Sequence, residues 1–596
     1  MASLSLSAVP TTPLSSRSSP LFSKTSTHRF NVSCNSSADE NPKLILPKST
    51  SLNVDRRNML LGLGGLYGAA SLTNIGSASA FPVTAPDNIA DCVAATDGVR
   101  DPDKAIRGTA CCPPKLSDSI PPDYVLPNFP QLRIRPPAQR VDDDYIVKYR
   151  AAIAAMRALP DEDPHSWKQQ GKIHCAYCNG GYSLEMNGLP DVKLQIHNSS
   201  LFYPFHRWYL YFYERILGKL IGDDTFALPY WNWDNPTGMM LPAMLAPVFD
   251  DRSNPNQLLN PLFDPFREVK HLPPAIVDLQ YRGAESGLDC IDQINTNLST
   301  MYSQMINQTT DTFFGTNPGD DGKGTPGSIE NGAHTSVHIW TGNSKMPNRE
   351  DMGNFYSAGY DPAFYLHHAN VDRMWHVWKG LNPLTNKDPI DDDWLNASYV
   401  FYDENRQLVR VYNRDAVDVT KMGYDFEPSR TPWINNRPVA RVKASNVAAQ
   451  SVGVVKKVEE MEFPVKLDQT VKVLVKRPST KRSEDDKKKA NEILFLNGIK
   501  YNGQQFFKFD VLVDDVDDGI ETTAASSEFA GTFAQVPHGL GGEKMFMTTG
   551  RAFVINELLE DIEAEDDEYV LVTLVPRAGA DDATVSEIKI QLVPTE

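Results

Sequence analysis

Ten consecutive residues constrain this fold more than any others: Pro204-Phe205-His206-Arg207-Trp208-Tyr209-Leu210-Tyr211-Phe212-Tyr213. Wound as a helix, they put an aromatic ring on nearly every side. Such a helix has no face to give to water and belongs at the centre of its domain. Proline suits the first helical turn, where its missing N–H is not needed, so the helix is expected to open at Pro204. Two more helices are expected nearby. Ile146, Tyr149, Ile153 and Met156 recur at three- and four-residue spacing. Asp361-Pro362 reads as an N-cap followed by a first-turn proline, with helix to about Trp378.

Beyond Arg441 the period changes. Val471–Val475, Ile493–Leu496, Phe509–Val513, Tyr569–Val575 and Ile588–Leu592 alternate as short strands between Asp-, Gly- and Pro-rich turns, with a charged loop over Ser483–Lys489. The expected fold is a mainly α domain with a central helix bundle over residues 81–434, a protease-sensitive linker over 435–455 and a β-rich, sandwich-like domain over 456–596.

Residues 1–80 read as a bipartite address. The first 38 contain twelve serines, no Asp or Glu, and the basic residues Arg17, Lys24 and Arg29, the composition of a chloroplast transit peptide. Arg56-Arg57, the apolar stretch Met59–Ala70 and Ala78-Ser79-Ala80 follow, as in a twin-arginine export signal. The expected destination is the plastid, within the chloroplast thylakoid lumen, and the expected partner is the twin-arginine export machinery. Acidic residues number 76 against 58 Lys and Arg, for a net charge of −18. That surface repels phosphate backbones and argues against a nucleic-acid partner. No apolar run reaches the ~18–20 residues that span a bilayer, so no integral membrane segment is expected. Six cysteines follow the leader: Cys92, Cys111, Cys112, Cys175, Cys178 and Cys290. Cys175 and Cys178 form C-x-x-C, whose spacing suits zinc, redox chemistry or disulfides; an oxidising compartment favours disulfides.

The chemistry lies in the histidines. His334 and His338 are four apart and share a helix face, and His368 lies in the helix after Asp361. His174, His197 and His206 stand earlier in the chain. On an unbroken helix His197 and His206 would be about half a turn out of phase; with the helix opening at Pro204, His206 falls in the first turn and His197 reaches in from the preceding loop. The result is two sets of three imidazoles, neither with a carboxylate, a donor pattern that favours copper over a di-iron centre. A zinc peptidase would need H-E-x-x-H, but Thr335 follows His334. His165, His271, His367, His376 and His538 read as structural; neighbours such as His367 and His368 diverge by about 100° on a helix. Asp372, one turn after His368, is placed to orient a ligand or an arginine, or to form an ordinary helix salt bridge.

Several motifs carry a resemblance: His174-Cys175-Ala176-Tyr177-Cys178, Leu194-Gln195-Ile196-His197-Asn198, Phe205-His206-Arg207, Tyr230-Trp231-Asn232-Trp233-Asp234, Asp351-Met352-Gly353-Asn354-Phe355-Tyr356 and Leu366-His367-His368-Ala369-Asn370-Val371-Asp372-Arg373-Met374-Trp375. With Asp393-Trp394-Leu395 and Lys508-Phe509-Asp510-Val511, they make the chain resemble the plant polyphenol oxidases (catechol oxidases and tyrosinases) of the coupled binuclear copper family over essentially its whole length. The resemblance implies two copper ions, the first held by His174, His197 and His206 and the second by His334, His338 and His368. It further implies a thioether between Cys178 and His197, disulfides Cys92–Cys112 and Cys111–Cys175, and Cys290 left free. Phe355 matches an aromatic residue overhanging the second copper, and Glu330 an acid that positions a water.

The implied reaction is oxidation of a small phenolic substrate, with O2 as co-substrate: a catechol gives up two electrons and leaves as an o-quinone while oxygen ends as water. Monophenols are also ortho-hydroxylated by tyrosinases. Thr335 offers no amide oxygen to a water held by Glu330, and Ile339 puts an apolar side chain at the entrance; both favour diphenol oxidation. The C-terminal domain resembles a shield that keeps the enzyme latent until an activating protease cuts the linker. The alternatives are a dedicated phenol hydroxylase of lignan or flavonoid metabolism and a hemocyanin-like oxygen carrier.

Overall fold

The computed structural model describes Val83, residues 96–97 and residues 109–595, apart from 118, 183–193, 247–259, 320–321, 442–446, 518, 521 and 540–543. The expected leader, 1–80, and Cys92 lie outside the described residues.

The helical region begins with α1 (Asp143–Arg157), α2 (Trp167–Cys178) and α3 (Phe202–Ile221). Asp142 caps α1 by accepting the N–H of Tyr145 at 2.8 Å, and α1 buries Tyr149, Ala152, Ile153 and Met156. α3 is buried on every side from Phe202 to Glu214 and ends at Gly222, whose φ of 67° is the left-handed cap that glycine adopts without a steric penalty. It opens at Phe202, two residues ahead of the expected Pro204. Pro204 still falls within the first turn, whose N–H groups have no helical acceptor to lose.

α4 (Cys290–Met305) follows, then a single π-helical turn, Glu330–His334, that runs into α5 (Thr335–Thr341). α6 (Pro362–Leu381) starts at Asp361, whose carboxylate accepts the N–H of Ala363 at 2.7 Å, and continues three residues past Trp378. α3 packs between α1 and α6. Asp372 on α6 ties the two together: it accepts from Arg207 of α3 at 2.5 Å, from Arg135 at 2.8 Å and from the Tyr424 hydroxyl at 2.6 Å. Arg135 and Arg133 also share Glu214, each at 2.8 Å. All these groups are buried.

The C-terminal region is antiparallel. β1 (Val471–Lys476), β2 (Ala490–Asn502), β3 (Phe507–Val513), β4 (Phe529–Gln535), β5 (Phe546–Val554), β6 (Tyr569–Ala578) and β7 (Glu587–Pro594) form two sheets, with a short helix, α7 (Asn556–Asp561), after β5. One sheet runs β4-β3-β6-β1; in the other β2 is paired with both β5 and β7. Apolar side chains of both sheets, among them Leu494, Phe507, Phe509, Phe533 and Val572, share one core, separate from that of the helical region. Phe506, Ala534 and Val536 join the helical core instead. The charged stretch expected as a loop holds a helix, Glu484–Lys489, because Ser483 and Asp486 cap one another reciprocally. Among the described residues no helix is long and apolar enough to cross a membrane.

Candidate metal centre

Five elements and one loop converge. α2 brings His174, the loop before α3 brings His197, and α3 brings His206. The π-turn and α5 bring His334 and His338, and α6 brings His367 and His368. His174, Cys178, His197 and His206 form one buried group and His334, His338, His367 and His368 another; within each, the donor atoms lie within 4.8 Å of one another. The groups abut, with His206 stacked on His368 at 4.1 Å between ring centroids.

Each group is built to accept a cation. Nδ1 of His174 lies 2.7 Å from the Phe355 carbonyl, that of His206 2.8 Å from Phe202, that of His334 2.9 Å from Glu330 and that of His338 2.7 Å from Met352. A carbonyl only accepts, so in each ring Nδ1 carries the proton and Nε2 keeps a bare lone pair. Those lone pairs turn inward. Nε2 of His174 faces Nε2 of His197 at 3.4 Å, and Nε2 of His338 faces Nε2 of His368 at 3.3 Å; Nε2 of His206 and of His334 meet no protein partner. Burial and the neighbouring imidazoles hold His174, His197, His334 and His368 well below the ordinary histidine pKa. Burial lowers His206 to about 3 and His338 to about 4. These are neutral, buried imidazoles, and inward-facing Nε2 lone pairs such as those of His206 and His334, without a protein partner, are what a metal ion satisfies.

His367 is different. Its Nδ1 accepts the indole N–H of Trp233 at 3.1 Å, so one lone pair is already used. Away from the centre, His165 meets the Asp403 carbonyl at 2.7 Å, His271 meets the Trp340 carbonyl, and His376 is exposed near Asp425.

Glu330 is buried, accepts the N–H groups of Asn198 at 2.6 Å and Gly327 at 3.3 Å, and lies 3.3 Å from Nδ1 of His197; burial pushes its carboxyl up to about 8, against the two N–H bonds. Thr335 donates its hydroxyl to the Glu330 carbonyl at 2.9 Å, and Ile339 is buried on α5. Phe355, expected over the second set, lies against the first: its ring stacks on His197 at 4.0 Å and is 6.3 Å from His338. Asp372 accepts from Arg135, from Arg207, next to His206, and from Tyr424 rather than from an imidazole. Cys111 and Cys175 are joined as a disulfide. Cys112 stands beside that bridge, and its expected partner Cys92 lies outside the described residues. The buried Cys178 thiol lies within 4.8 Å of a ring nitrogen of His197, and Cys290 is exposed at the start of α4.

The C-terminal region reaches this centre, a contact that no local sequence signal announces. The Phe355 N–H donates to the Pro537 carbonyl at 3.0 Å and the Asn354 amide to the Gly539 carbonyl at 2.9 Å. Between these contacts the buried ring of His538 meets the Phe355 ring edge-on at 4.7 Å. The Asn198 amide donates to Gln535 at 2.9 Å, and Asn331 exchanges two hydrogen bonds with the main chain of Ala534.

Two adjoining, histidine-rich sets in a helical core define a binuclear copper oxidoreductase. The common central domain of tyrosinase matches residues 164–381, the polyphenol oxidase middle domain matches 388–439, and the chloroplastic polyphenol oxidase C-terminal domain matches 463–592. A chloroplastic polyphenol oxidase of Malus domestica is 46% identical, over 90% of this chain and 89% of that protein. A latent aurone synthase (polyphenol oxidase) from a natural source is 50% identical, covers 86% of this chain and 100% of its own, and superposes with a TM-score of 0.79. An active aurone synthase, described with a copper B site, is 50% identical over 58% of this chain and 100% of its own, with a TM-score of 0.53. The chain belongs to the plant polyphenol oxidase family.

Proposed function

We propose that the protein oxidises o-diphenols to o-quinones while O2 is reduced to water. The observation that carries this reading is the pair of neighbouring imidazole sets whose Nε2 atoms converge, His174 on His197 and His338 on His368, while those of His206 and His334 meet no protein partner. His174, His197 and His206 hold one copper, and His334, His338 and His368 the other. When bound, the copper pair supplies the electron and dioxygen chemistry.

The chain's own residues orient and exclude. The four carbonyl anchors fix the imidazole rings, and a thioether from Cys178 to His197 pins the one ligand that no helix carries. Phe355 gives the substrate ring an aromatic wall. Glu330, buried beside His197, holds a water near that ligand. Thr335 spends its hydroxyl on the main chain and offers that water nothing, and Ile339 adds an apolar wall; this favours diphenols over monophenols. The likeness to an aurone synthase supports a second reading, commitment to one phenol of specialised metabolism.

The contacts of residues 535–539 with Asn198, Asn354 and Phe355 support a C-terminal shield over the entrance, extending over about 456–596, with 435–455 as the cut linker. The active aurone synthase spans 58% of this chain where the latent form spans 86%, which fits activation by removal of that region. The chloroplastic relative supports a plastid location; the thylakoid lumen and twin-arginine export are inferred from the leader. Oxygen uptake by the copper-loaded mature chain, before and after limited proteolysis, tests the scheme. Uptake with 4-methylcatechol should rise sharply on cutting and stay slow with its monophenol. Reversible O2 binding without turnover would overturn it.

A further inference from the structure

An open crevice lies between the two regions, walled by α4 and the back of the π-turn on one side and by β4, β5 and α7 on the other. Arg551 of β5 lines it and is buried, with Nη1 donating to the Pro326 carbonyl at 3.0 Å and Nε without a hydrogen-bond partner. A buried cationic donor left unmet is costly, so this wall favours an anionic acceptor. Arg551 is the one cation among the described lining residues. The Phe553 ring lies 5.0 Å from its guanidinium, and Phe529 lines the same space. The other end carries two acceptors, Glu557, to which the Tyr302 hydroxyl donates at 3.0 Å, and Asp561, paired with Arg437 at 2.9 Å.

We infer that this crevice is a second binding site, for a small aromatic monocarboxylate bearing a hydroxyl group. The carboxylate sits on Arg551, the ring lies against Phe553 and Phe529, and the hydroxyl donates to Glu557 or Asp561. The two carboxylates disfavour a dianion and set the ligand's direction. Gln304, in the opposite wall, accepts the N–H of Ala333 next to His334 at 3.0 Å. A ligand here therefore bridges the C-terminal region to the turn that carries His334 and strengthens the closed state. That consequence rests on the shield reading; the site itself does not.

The test is anaerobic titration calorimetry of the full mature chain with 4-hydroxycinnamate. One molecule should bind per chain, and 4-methoxycinnamate, lacking the donor, should bind more weakly. Arg551→Gln should weaken binding at least about tenfold, the loss of one charge-assisted hydrogen bond, with partial recovery in Arg551→Lys. Ser303→Trp, which fills the crevice from the partly exposed side of α4, should weaken it equally without touching the cation. Binding that survives both substitutions, or that vanishes only when copper is removed, would place the ligand at the metal centre and overturn the site. Saturating ligand should slow linker cutting in the wild type and not in Ser303→Trp. Binding without slower cutting, in a chain that cutting fails to activate, would sink the shield and leave the site standing.

Discussion

At the scale of single residues, the six imidazoles were legible because a metal needs lone pairs and the spacings supply them. The choice between His367 and His368 was legible only as an exclusion, since neighbours on a helix diverge. What favours His368 is tertiary: the Trp233 indole occupies Nδ1 of His367. Thr335 illustrates another limit. Its lack of an amide could be read from the sequence, but that its hydroxyl is tied to the Glu330 carbonyl at 2.9 Å could not. Thr335→Asn should raise the monophenol-to-diphenol rate ratio by about tenfold, the worth of one well-placed hydrogen bond. Initial rates on matched 4-methylcatechol and 4-methylphenol measure it; an unchanged ratio with normal copper content would remove Thr335 from the specificity argument.

At the scale of elements, the aromatic run of α3 and the Asp361-Pro362 start of α6 announced a buried helical core, and both helices appear. The helix over Glu484–Lys489 was expected as a charged loop, and the capping-box spacing of Ser483 and Asp486 is the signal that would have found it. What no periodicity shows is how the helices are held in register. Asp372 accepts from Arg207 and Arg135 with every partner buried. Asp372→Asn leaves two guanidiniums short of counter-charge in a dry core and should cost about 3–5 kcal/mol, read as a lower thermal midpoint; a shift of under a degree would assign it no such role. α2 is placed more tightly still. A Cβ at Gly171 would sit 2.4 Å from the Tyr360 ring, so Gly171→Ala should cost about 1–3 kcal/mol through overpacking. Because α2 carries His174, the same variant should retain less copper after dialysis against a mild chelator. Full retention would show that the helix accommodates the methyl group without moving its ligand.

At the scale of the whole molecule, the sequence separates a helical text from a β text and says little about how they meet. Residues 535–539 contact Asn198, Asn354 and Phe355 across more than 150 positions of chain, and no local pattern encodes that. If the C-terminal region is the shield, its stability sets how often the copper site is exposed, and one buried carboxyl makes that stability pH-dependent. Asp514, just past β3, accepts the Leu571 N–H through Oδ1 at 2.7 Å and leaves Oδ2 without a partner. Burial raises its pKa from 3.8 to about 7, against the Leu571 hydrogen bond. A carboxyl whose folded pKa lies above its unfolded value binds a proton more tightly when folded. Its stabilising contribution is therefore complete below about pH 4 and is lost as pH rises through 7. The C-terminal region should thus loosen across that window, by an amount on the order of a few kcal/mol at most. Asp514→Asn cannot ionise and should flatten the dependence. Thermal midpoints of the mature chain at pH 5 and 7.5 should differ more in the wild type than in the variant, with the variant gaining at the higher pH. Activity before proteolysis should follow, rising with pH more steeply in the wild type. Parallel midpoint curves for the two proteins would mean that Asp514 stays ionised when folded, and the pH sensitivity of the shield would then have to arise elsewhere.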